Sequence, residues 1–326
     1  MPTSHDVIIT GRGALALFAA RKARQVGFSP LIVGTGRPFE RFLLLHENAL
    51  RALENVLGMA PGHPLRGVRV LDAGLREVRR LDFQRAGLRL HAMRYSALLA
   101  LLEEGDTADI VEAGMDCIDP AGRVVLTDGR ELSAPMVVNT VAGLAPRRRL
   151  RVRHRKTFRM GFIDRAPDDT WAVQINDAGT YAIIIPFGDD AAVVSSGNAA
   201  PLQGLLGASA DGLAFRQLRL ESWCGWRIRQ GRILHVGEAL RRVHPHTAQG
   251  LNRALDTVAT IFDGGSLWRE RMHDCLIWAG GILLDGIWGG PSSALVRTSL
   301  ALLATAPGLC LASGILLQRR PNRRAP

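Results

Sequence analysis

Cysteine is scarce in this chain, and its placement excludes several classes of protein. The 326 residues contain four cysteines, Cys117, Cys224, Cys275 and Cys310, with no C-x-x-C pair and no metal-ligand spacing among them. A disulfide framework and a cysteine zinc site are therefore excluded as organising features. The N-terminus also lacks a signal-peptide pattern. These absences predict a cytoplasmic protein with free thiols and no bound metal ion.

Acidic residues are outnumbered by basic ones. The chain has 30 Asp and Glu residues against 41 Lys and Arg residues, which gives a formal net charge of +11. Many of the arginines fall in two runs, residues 147–156 and 319–324. Such runs favour an anionic partner, or they form a solvated basic face. No basic motif with interleaved aromatic residues is present, so we expect no nucleic-acid partner.

The chain opens with a strand, a glycine-rich turn and a helix. Residues 6–10 are mostly β-branched and apolar, and Gly11, Gly13 and Ala16 follow in the order of the dinucleotide-binding glycine pattern. A second apolar strand is predicted at residues 31–33. A strand, a glycine turn, a helix and a strand in this order form the βαβ unit in which the pattern has its meaning.

The acid that normally completes this pattern is missing. It binds the adenosine ribose hydroxyls from the end of the second strand. Gly34 stands at that position, and the next acid is Glu40, which follows a proline and is expected to point elsewhere.

A second glycine-rich stretch lies at residues 233–252. Residues 233–236 are apolar and strand-like, Gly237 ends the strand, a polar loop contains Pro245, and a helix is predicted from Gln249. A helix N-terminus that follows a strand and an acid-bearing turn is suited to an anionic or hydroxylated ligand.

This second stretch resembles the second flavin-binding motif of the class A FAD-dependent monooxygenases, the aromatic and ubiquinone-precursor hydroxylases. That motif is G-D-A-A-H-x-x-x-P-x-x-G-Q-G-x-N. The substitutions are Glu238 for the aspartate, Leu240 for an alanine, Arg241 for the histidine and Ala248 for a glycine. The positions that match in register are Gly237, Ala239, Pro245, Gln249, Gly250 and Asn252.

The resemblance implies an α/β fold with a Rossmann-like FAD-binding domain of the glutathione-reductase type. That domain would comprise residues 1–150 with 233–265. A shortened, mixed β-sheet substrate domain would occupy residues 151–232, and a helical tail would occupy residues 266–326.

The resemblance also implies roles for individual residues. Residues 41–53 resemble a family helix whose leading arginine, here Arg41, approaches the flavin diphosphate. Residues 91–102 resemble a second helix, whose arginine, here Arg94, lies over the cofactor or is a solvated helix-start residue. Leu202 to Leu220 is predicted to be helical. The full set assigned to the cofactor is Gly11, Gly13, Ala16, Arg41, Arg94, Gly237, Glu238, Pro245, Gln249, Gly250 and Asn252.

A third family motif, which contacts flavin and nicotinamide, has also lost its acid. Ala142 stands at the position of the aspartate. A hydrogen bond to a carboxylate contributes roughly 1.5–3 kcal/mol. Losing the acids at Gly34 and Ala142 would therefore weaken FAD binding on the order of a hundred- to ten-thousandfold.

His244 and His246 are the nearest candidates for a catalytic base. They flank Pro245 in the loop of the second motif, where a histidine could deprotonate a phenol. They could equally be exposed and inert.

Residues 298–317 are uncharged and precede the arginine tail. Three alternatives remain for this segment: a membrane span, a peripheral contact with anionic lipid through the basic tail, and ordinary core packing.

Three functions stay open. The first is an FAD-dependent hydroxylase or epoxidase of an aromatic, quinone-precursor or polyene substrate, with NAD(P)H as reductant. The second is a flavin-free relative that acts as a cyclase or isomerase, or as a pseudoenzyme with a biosynthetic protein partner. The third is a reductase or dehydrogenase of related fold.

Overall fold

The computed structural model describes residues 5–35, 40–72, 74–105, 108–144, 149–164, 170–175, 181–196, 216–225, 227–243 and 249–289, and the architecture given below is that of these ranges.

Among the described elements, strands outnumber helices. The strands are β1 Val7–Thr10, β2 Pro30–Val33, β3 Phe42–His46, β4 His63–Pro64, β5 Gly67–Leu71, β6 Glu77–Asp82, β7 Leu90–Arg94, β8 Asp109–Val111, β9 Met115–Ile118, β10 Arg123–Leu126, β11 Glu131–Ser133, β12 Met136–Asn139, β13 Arg149–Ile163, β14 Thr170–Ile175, β15 Tyr181–Phe187, β16 Asp190–Ser196, β17 Arg216–Gly225, β18 Arg229–Gln230, β19 Ile233–His235 and β20 Arg241–Arg242. The α-helices are α1 Ala14–Gln25, α2 Glu47–Leu57, α3 Tyr95–Glu103, α4 Gly250–Phe262 and α5 Leu267–Gly289.

A six-stranded sheet holds both glycine-rich turns at one edge. Its order is β18-β19-β12-β1-β2-β8, and every pairing from β19 to β8 is parallel. The carboxyl ends of β1, β2, β8, β12 and β19 therefore meet at one edge, which is where parallel α/β sheets bind their ligands. The mixed α/β class predicted from the sequence is confirmed.

The two faces of this sheet are covered differently. Helices α1 to α4 bury one face in a cluster that includes Phe18, Leu50, Leu98 and Leu255. The antiparallel meander β9-β10-β11 contributes Val124 and Leu126 to a second cluster, which contains Ile8 and Val137 of the sheet. Burial on both faces explains why β1 and β2 are continuous apolar runs rather than alternating ones.

A three-stranded antiparallel sheet, β3-β7-β4, corrects two predictions. Residues 42–46 were expected to open a helix and residues 91–94 to belong to one, but the two segments pair as strands β3 and β7. A short apolar run such as Phe42–Leu45 does not distinguish a buried strand from a helix by its period. The predicted helices begin later, at Glu47 and Tyr95.

An eight-stranded sheet forms the second large layer. Its order is β20-β17-β13-β16-β15-β14-β5-β6, and all its pairings are antiparallel except that of β14 with β5. The helix predicted at Leu202 to Leu220 is wrong for residues 216–220, which belong to β17 and pair with β13. Residues 202–215 lie outside the described ranges.

The division into domains stays a prediction, although the strands of the large sheet come from several parts of the chain. Strands β5 and β6 precede residue 151, and β20 follows residue 233. Phe187 of the large sheet packs with Leu44 and Ala92 of the three-stranded sheet in one apolar cluster.

Helix α5 is held by a cluster of buried charges. Arg253 of α4 donates to Glu270 at 2.5 Å and to Asp274 at 3.1 Å, and it pairs with Asp256 at 2.6 Å. Arg241 of β20 forms an ion pair with the same Asp274. Because ions in a protein interior are tolerated only with close partners, this cluster specifies where α5 packs.

The remainder of the expected helical tail, residues 290–326, lies outside the described ranges. Among the described residues, no helix is long and apolar enough to cross a membrane. The peripheral membrane contact stays a prediction.

Candidate functional site

The first glycine turn depends on its glycines for packing. Gly11 has φ 97°, and its N–H donates to the carbonyl of Val33 at 2.7 Å. A Cβ atom at Gly11 would lie 2.5 Å from Oγ1 of Thr140, so a side chain there would collide with the neighbouring strand end. Ala16 is fully buried in the helical core. The turn therefore brings its backbone and the N-terminus of α1 to the sheet edge.

The N-terminus of α1 has a protein partner. The N–H of Ala14, its first residue, donates to the hydroxyl oxygen of Tyr95 at 2.9 Å. A Cβ atom on Gly13 would lie 2.8 Å from the same hydroxyl. Since the N–H groups of a helix N-terminus are the donors that bind a phosphate, Tyr95 stands at the place where a diphosphate would lie.

Arg41 lies over Tyr95. Its guanidinium carbon is 4.3 Å from the centre of the tyrosine ring, which is a cation–π contact. The Nε atom of Arg41 is buried and has no hydrogen-bond partner in the part of the chain that the structure describes. A buried cationic donor without an acceptor is suited to an anionic ligand group. The predicted diphosphate arginine thus lies beside the N-terminus of α1.

The ribose position at the end of β2 is closed. A Cβ atom on Gly34 would lie 2.8 Å from the carbonyl carbon of Gly11 and 3.1 Å from the amide nitrogen of Arg12. A carboxylate could return to this position only if the glycine turn moved. Glu40 does not replace it, because its carboxylate accepts from the backbone N–H of Tyr95 at 3.1 Å, at the start of α3.

The second glycine turn packs directly on α1. Gly237 has φ 55°, and a Cβ atom there would lie 2.5 Å from Cδ2 of Leu15. Glu238 follows in a short 3-10 helix, Gly237–Ala239, with its side chain half exposed and 3.9 Å from Arg242. Its backbone oxygen accepts from Nε1 of Trp223 at 3.0 Å. Its predicted contact with the cofactor stays a prediction.

Asn252 joins α4 to strand β3. Its Oδ1 atom accepts from the N–H of His46 at 2.9 Å, and its Nδ2 atom donates to the carbonyl of Leu44 at 2.7 Å. The side chain thus takes the place of a neighbouring strand for this part of β3. Gly250, the first residue of α4, lies two residues before Asn252.

His46 is a candidate site residue that no motif in the sequence indicates. It is 6 % exposed, and burial lowers its pKa to about 4, so the ring is neutral at neutral pH. Its Nδ1 atom lies 2.9 Å from Nε2 of Gln249, which donates to it, so the ring proton is on Nε2. That Nε2–H group is buried and has no partner among the described residues.

Arg94 lies at the boundary between α3 and the large sheet. It pairs with Asp190 at 2.8 Å, and its guanidinium carbon is 4.6 Å from the ring centre of Phe162. The arginine is therefore held by the large sheet at the start of α3. Its contact with a cofactor stays a prediction.

For the other predicted positions, the described part of the structure gives no contact that bears on cofactor binding or catalysis. Ala142 lies in the 3-10 helix Ala142–Leu144 that follows β12. His244, Pro245 and His246 lie outside the described ranges, so their roles as catalytic bases and cofactor contact stay predictions.

No protein-family model matches the sequence, and no curated protein is similar to it. Solved structures do match the fold. The chain has the fold of FAD-dependent monooxygenases, as three examples illustrate.

The first is PqsL, described as a probable FAD-dependent monooxygenase from Pseudomonas aeruginosa, with a TM-score of 0.70 and 16 % identity over 90 % of this chain and 97 % of that one. The second is HpxO from Klebsiella pneumoniae, complexed with FAD and uric acid, with a TM-score of 0.74 and 16 % identity over 96 % of each chain. The third is 2-methyl-3-hydroxypyridine-5-carboxylic acid oxygenase, with a TM-score of 0.69 and 18 % identity over 99 % and 95 %.

Two parts of the site fit a flavin dinucleotide and one does not. The buried Nε of Arg41 fits a diphosphate, and the first N–H of α1 would meet one only if the Tyr95 hydroxyl moved aside. The buried Nε2–H of His46 fits a neutral acceptor. The position of Gly34 offers no carboxylate for a ribose and no space for one.

Proposed function

We propose that this chain is an FAD-dependent monooxygenase. The observation that carries the proposal is the pair of buried donors at the two ends of β3, Nε of Arg41 and Nε2 of His46. Five residue steps along a strand separate the Cα atoms of these two residues by roughly 17 Å. Arg41 suits an anionic ligand group, and His46 suits a neutral acceptor.

Each end of β3 is also next to a helix N-terminus. Arg41 stacks on Tyr95, which contacts the first residue of α1, and His46 contacts Gln249, which immediately precedes α4. A flavin dinucleotide combines a diphosphate with a ring system that bears carbonyl acceptors. Its parts therefore match both ends of the strand in charge and in hydrogen-bonding character.

In this proposal the residues of the chain bind and orient the cofactor. Arg41 would neutralise the diphosphate, and His46 would donate from a neutral ring to an acceptor of the flavin. Asn252 would keep β3 in place, since it holds the strand at Leu44 and His46. When bound, the flavin would supply the oxygen-activating and electron-transfer chemistry that side chains lack.

The class of substrate and the reductant are inferred from the solved structures that match the fold and from the sequence resemblance. PqsL has been crystallised with 2-aminobenzoylacetate and HpxO with uric acid, both ring compounds. We infer a small aromatic, quinone-precursor or polyene substrate that is hydroxylated or epoxidised in a biosynthetic pathway, with NAD(P)H as reductant.

Two observations favour the flavin-free alternative. The Tyr95 hydroxyl already accepts from the N–H of Ala14, and Gly34 has no room for a ribose acid. A relative that keeps the fold without flavin would act as a non-redox cyclase or isomerase, or as a pseudoenzyme in a biosynthetic complex.

The visible spectrum of the purified protein distinguishes an FAD-dependent monooxygenase from the flavin-free alternative. A flavin enzyme shows absorbance near 450 nm, a general property of flavins, or acquires it when FAD is added at tens of micromolar. A colourless protein that binds no FAD under these conditions contradicts the proposal and favours the alternative.

A variant tests the role of Arg41 in the same titration. We expect Arg41→Gln to weaken FAD binding about tenfold, because a charge-assisted contact to the diphosphate is lost, and to leave riboflavin binding unchanged. Arg51→Gln is the matched control, since Arg51 forms an exposed pair with Glu47 on the outer side of α2. An equal effect on FAD and riboflavin would show that Arg41 does not meet the diphosphate.

A further inference from the structure

Glu112 directly follows β8, the strand next to β2 in the parallel sheet. Its carboxylate forms an ion pair with Arg12, the residue between the two glycines of the first turn. The backbones at this edge are also joined, since the N–H of Gly34 donates to the carbonyl of Val111 at 3.1 Å. A carboxylate thus contacts the side chain of a glycine-turn residue from one strand further along the sheet than the usual ribose acid.

Gly34 explains why the carboxylate comes from this neighbour. The backbone of Gly11 and Arg12 lies against the Cα atom of Gly34, at distances of 2.8 to 3.1 Å from an ideal Cβ position. An acid at residue 34 is therefore sterically excluded. Without a side chain at residue 34, Arg12 and Glu112 can meet across the end of β2.

We propose that Glu112 is the ribose-binding acid of this chain, relocated from β2 to β8. The inference rests on the proposed binding of a dinucleotide at this sheet edge. Glu112 has a side chain that is 66 % exposed, so its carboxylate can accept from two ribose hydroxyls while Arg12, which is 32 % exposed, turns to solvent or to the diphosphate.

The charge of Glu112 also defines which adenosine fits. An ionised carboxylate at this position accepts hydrogen bonds from a ribose diol and repels a phosphate on the 2′-oxygen. The ligand is therefore an adenosine diphosphate derivative with an unmodified ribose. This is the adenosine moiety that FAD carries.

The test compares binding of FAD, ADP and FMN to the full-length protein by fluorescence and calorimetric titration. We expect Glu112→Ala to weaken FAD and ADP binding about tenfold to a hundredfold, since a charge-assisted hydrogen bond is lost. FMN lacks the adenosine, so its affinity should not change. Glu131→Ala is the matched control, because Glu131 forms an exposed pair with Arg123 in the β9-β10-β11 meander.

The possible outcomes test the role of Glu112 and the proposed flavin binding separately. Unchanged FAD and ADP affinity in Glu112→Ala would overturn the inference while leaving the flavin proposal intact. Tighter binding in this variant would also overturn it, since the pair with Arg12 would then block the site. A wild-type protein that binds ADP through Glu112 but no FAD would support the relocated acid and contradict the proposed function. A wild-type protein that binds none of the three would overturn both.

Discussion

The two ends of β3 differ in charge, in burial and in hydrogen bonding, although only the length of the strand separates them. The first end carries Arg41, a cation on a tyrosine ring at the edge of a turn. The second carries His46, a neutral ring inside the core that contacts Gln249 while Asn252 holds its backbone. The Arg41 end is suited to an anionic ligand group, and the His46 end is suited to a neutral hydrogen-bond acceptor. The strand therefore presents two kinds of recognition on one rigid element.

The largest expected effect is at the buried end. Asn252→Ala would leave the N–H of His46 and the carbonyl of Leu44 without their partners, and each unpaired group costs about 1–3 kcal/mol. We expect a loss of about 2–4 kcal/mol in the free energy of unfolding, measured by urea denaturation. The exposed Asn55→Ala in α2 should change it by less than about 0.5 kcal/mol. Equal losses in the two variants would mean that Asn252 does not support β3.

The pKa of His46 predicts a pH dependence of stability. The folded protein holds this pKa at about 4, against 6.5 for an unperturbed histidine. The unfolded chain therefore binds a proton between these values that the folded chain does not bind, and stability falls as the pH falls from 6.5 to about 4. The loss amounts to about 3 kcal/mol.

The matched measurement is urea unfolding of the wild type and of His46→Gln across this pH range. Burial also lowers the pKa of His91, which contributes to both curves equally. The difference between the curves therefore isolates His46. Parallel curves would show that His46 is protonated as easily in the folded protein as in the unfolded chain.

The smallest expected effect is at the charged end. Tyr95→Phe removes the hydroxyl that accepts from the N–H of Ala14, at a cost of about 1 kcal/mol in the ligand-free protein. A bound diphosphate can replace that acceptor. ADP affinity should therefore rise, by less than about tenfold, in calorimetric titration. Tyr181→Phe in the large sheet is the control, and weaker ADP binding in Tyr95→Phe would indicate that the hydroxyl helps to hold the ligand.

Local sequence patterns were sufficient to predict much of the fold. The order of apolar runs and glycines predicted β1, α1 and β2, and the packing of Gly11 and Gly237 explains why these glycines are present. The strand at residues 42–46 was missed because its four apolar residues fit both periods. Its pairing with β7, which decides the matter, is a contact between distant parts of the chain.

Resemblance to family motifs identified some candidate site residues, and neighbours in space identify others. Arg41 and Asn252 were assigned from the resemblance, and their contacts with a cofactor stay predictions. His46 is a candidate site residue because Gln249 and Asn252, some two hundred positions away, contact and orient it. Glu112 meets the glycine turn because β8 lies beside β2 in the sheet. No spacing in the sequence encodes either relation.

The buried charges around Arg253 have a consequence for how the chain is completed during synthesis. Every motif residue of the proposed site precedes residue 253, yet Arg253 and Arg241 find Glu270 and Asp274 only in α5. Until that helix has left the ribosome, two arginines destined for the interior have only Asp256 among these carboxylates as a counter-ion. Since burying unpaired cations is prohibitive, the core around α4 closes only once α5 is available, after the site residues have already been synthesised.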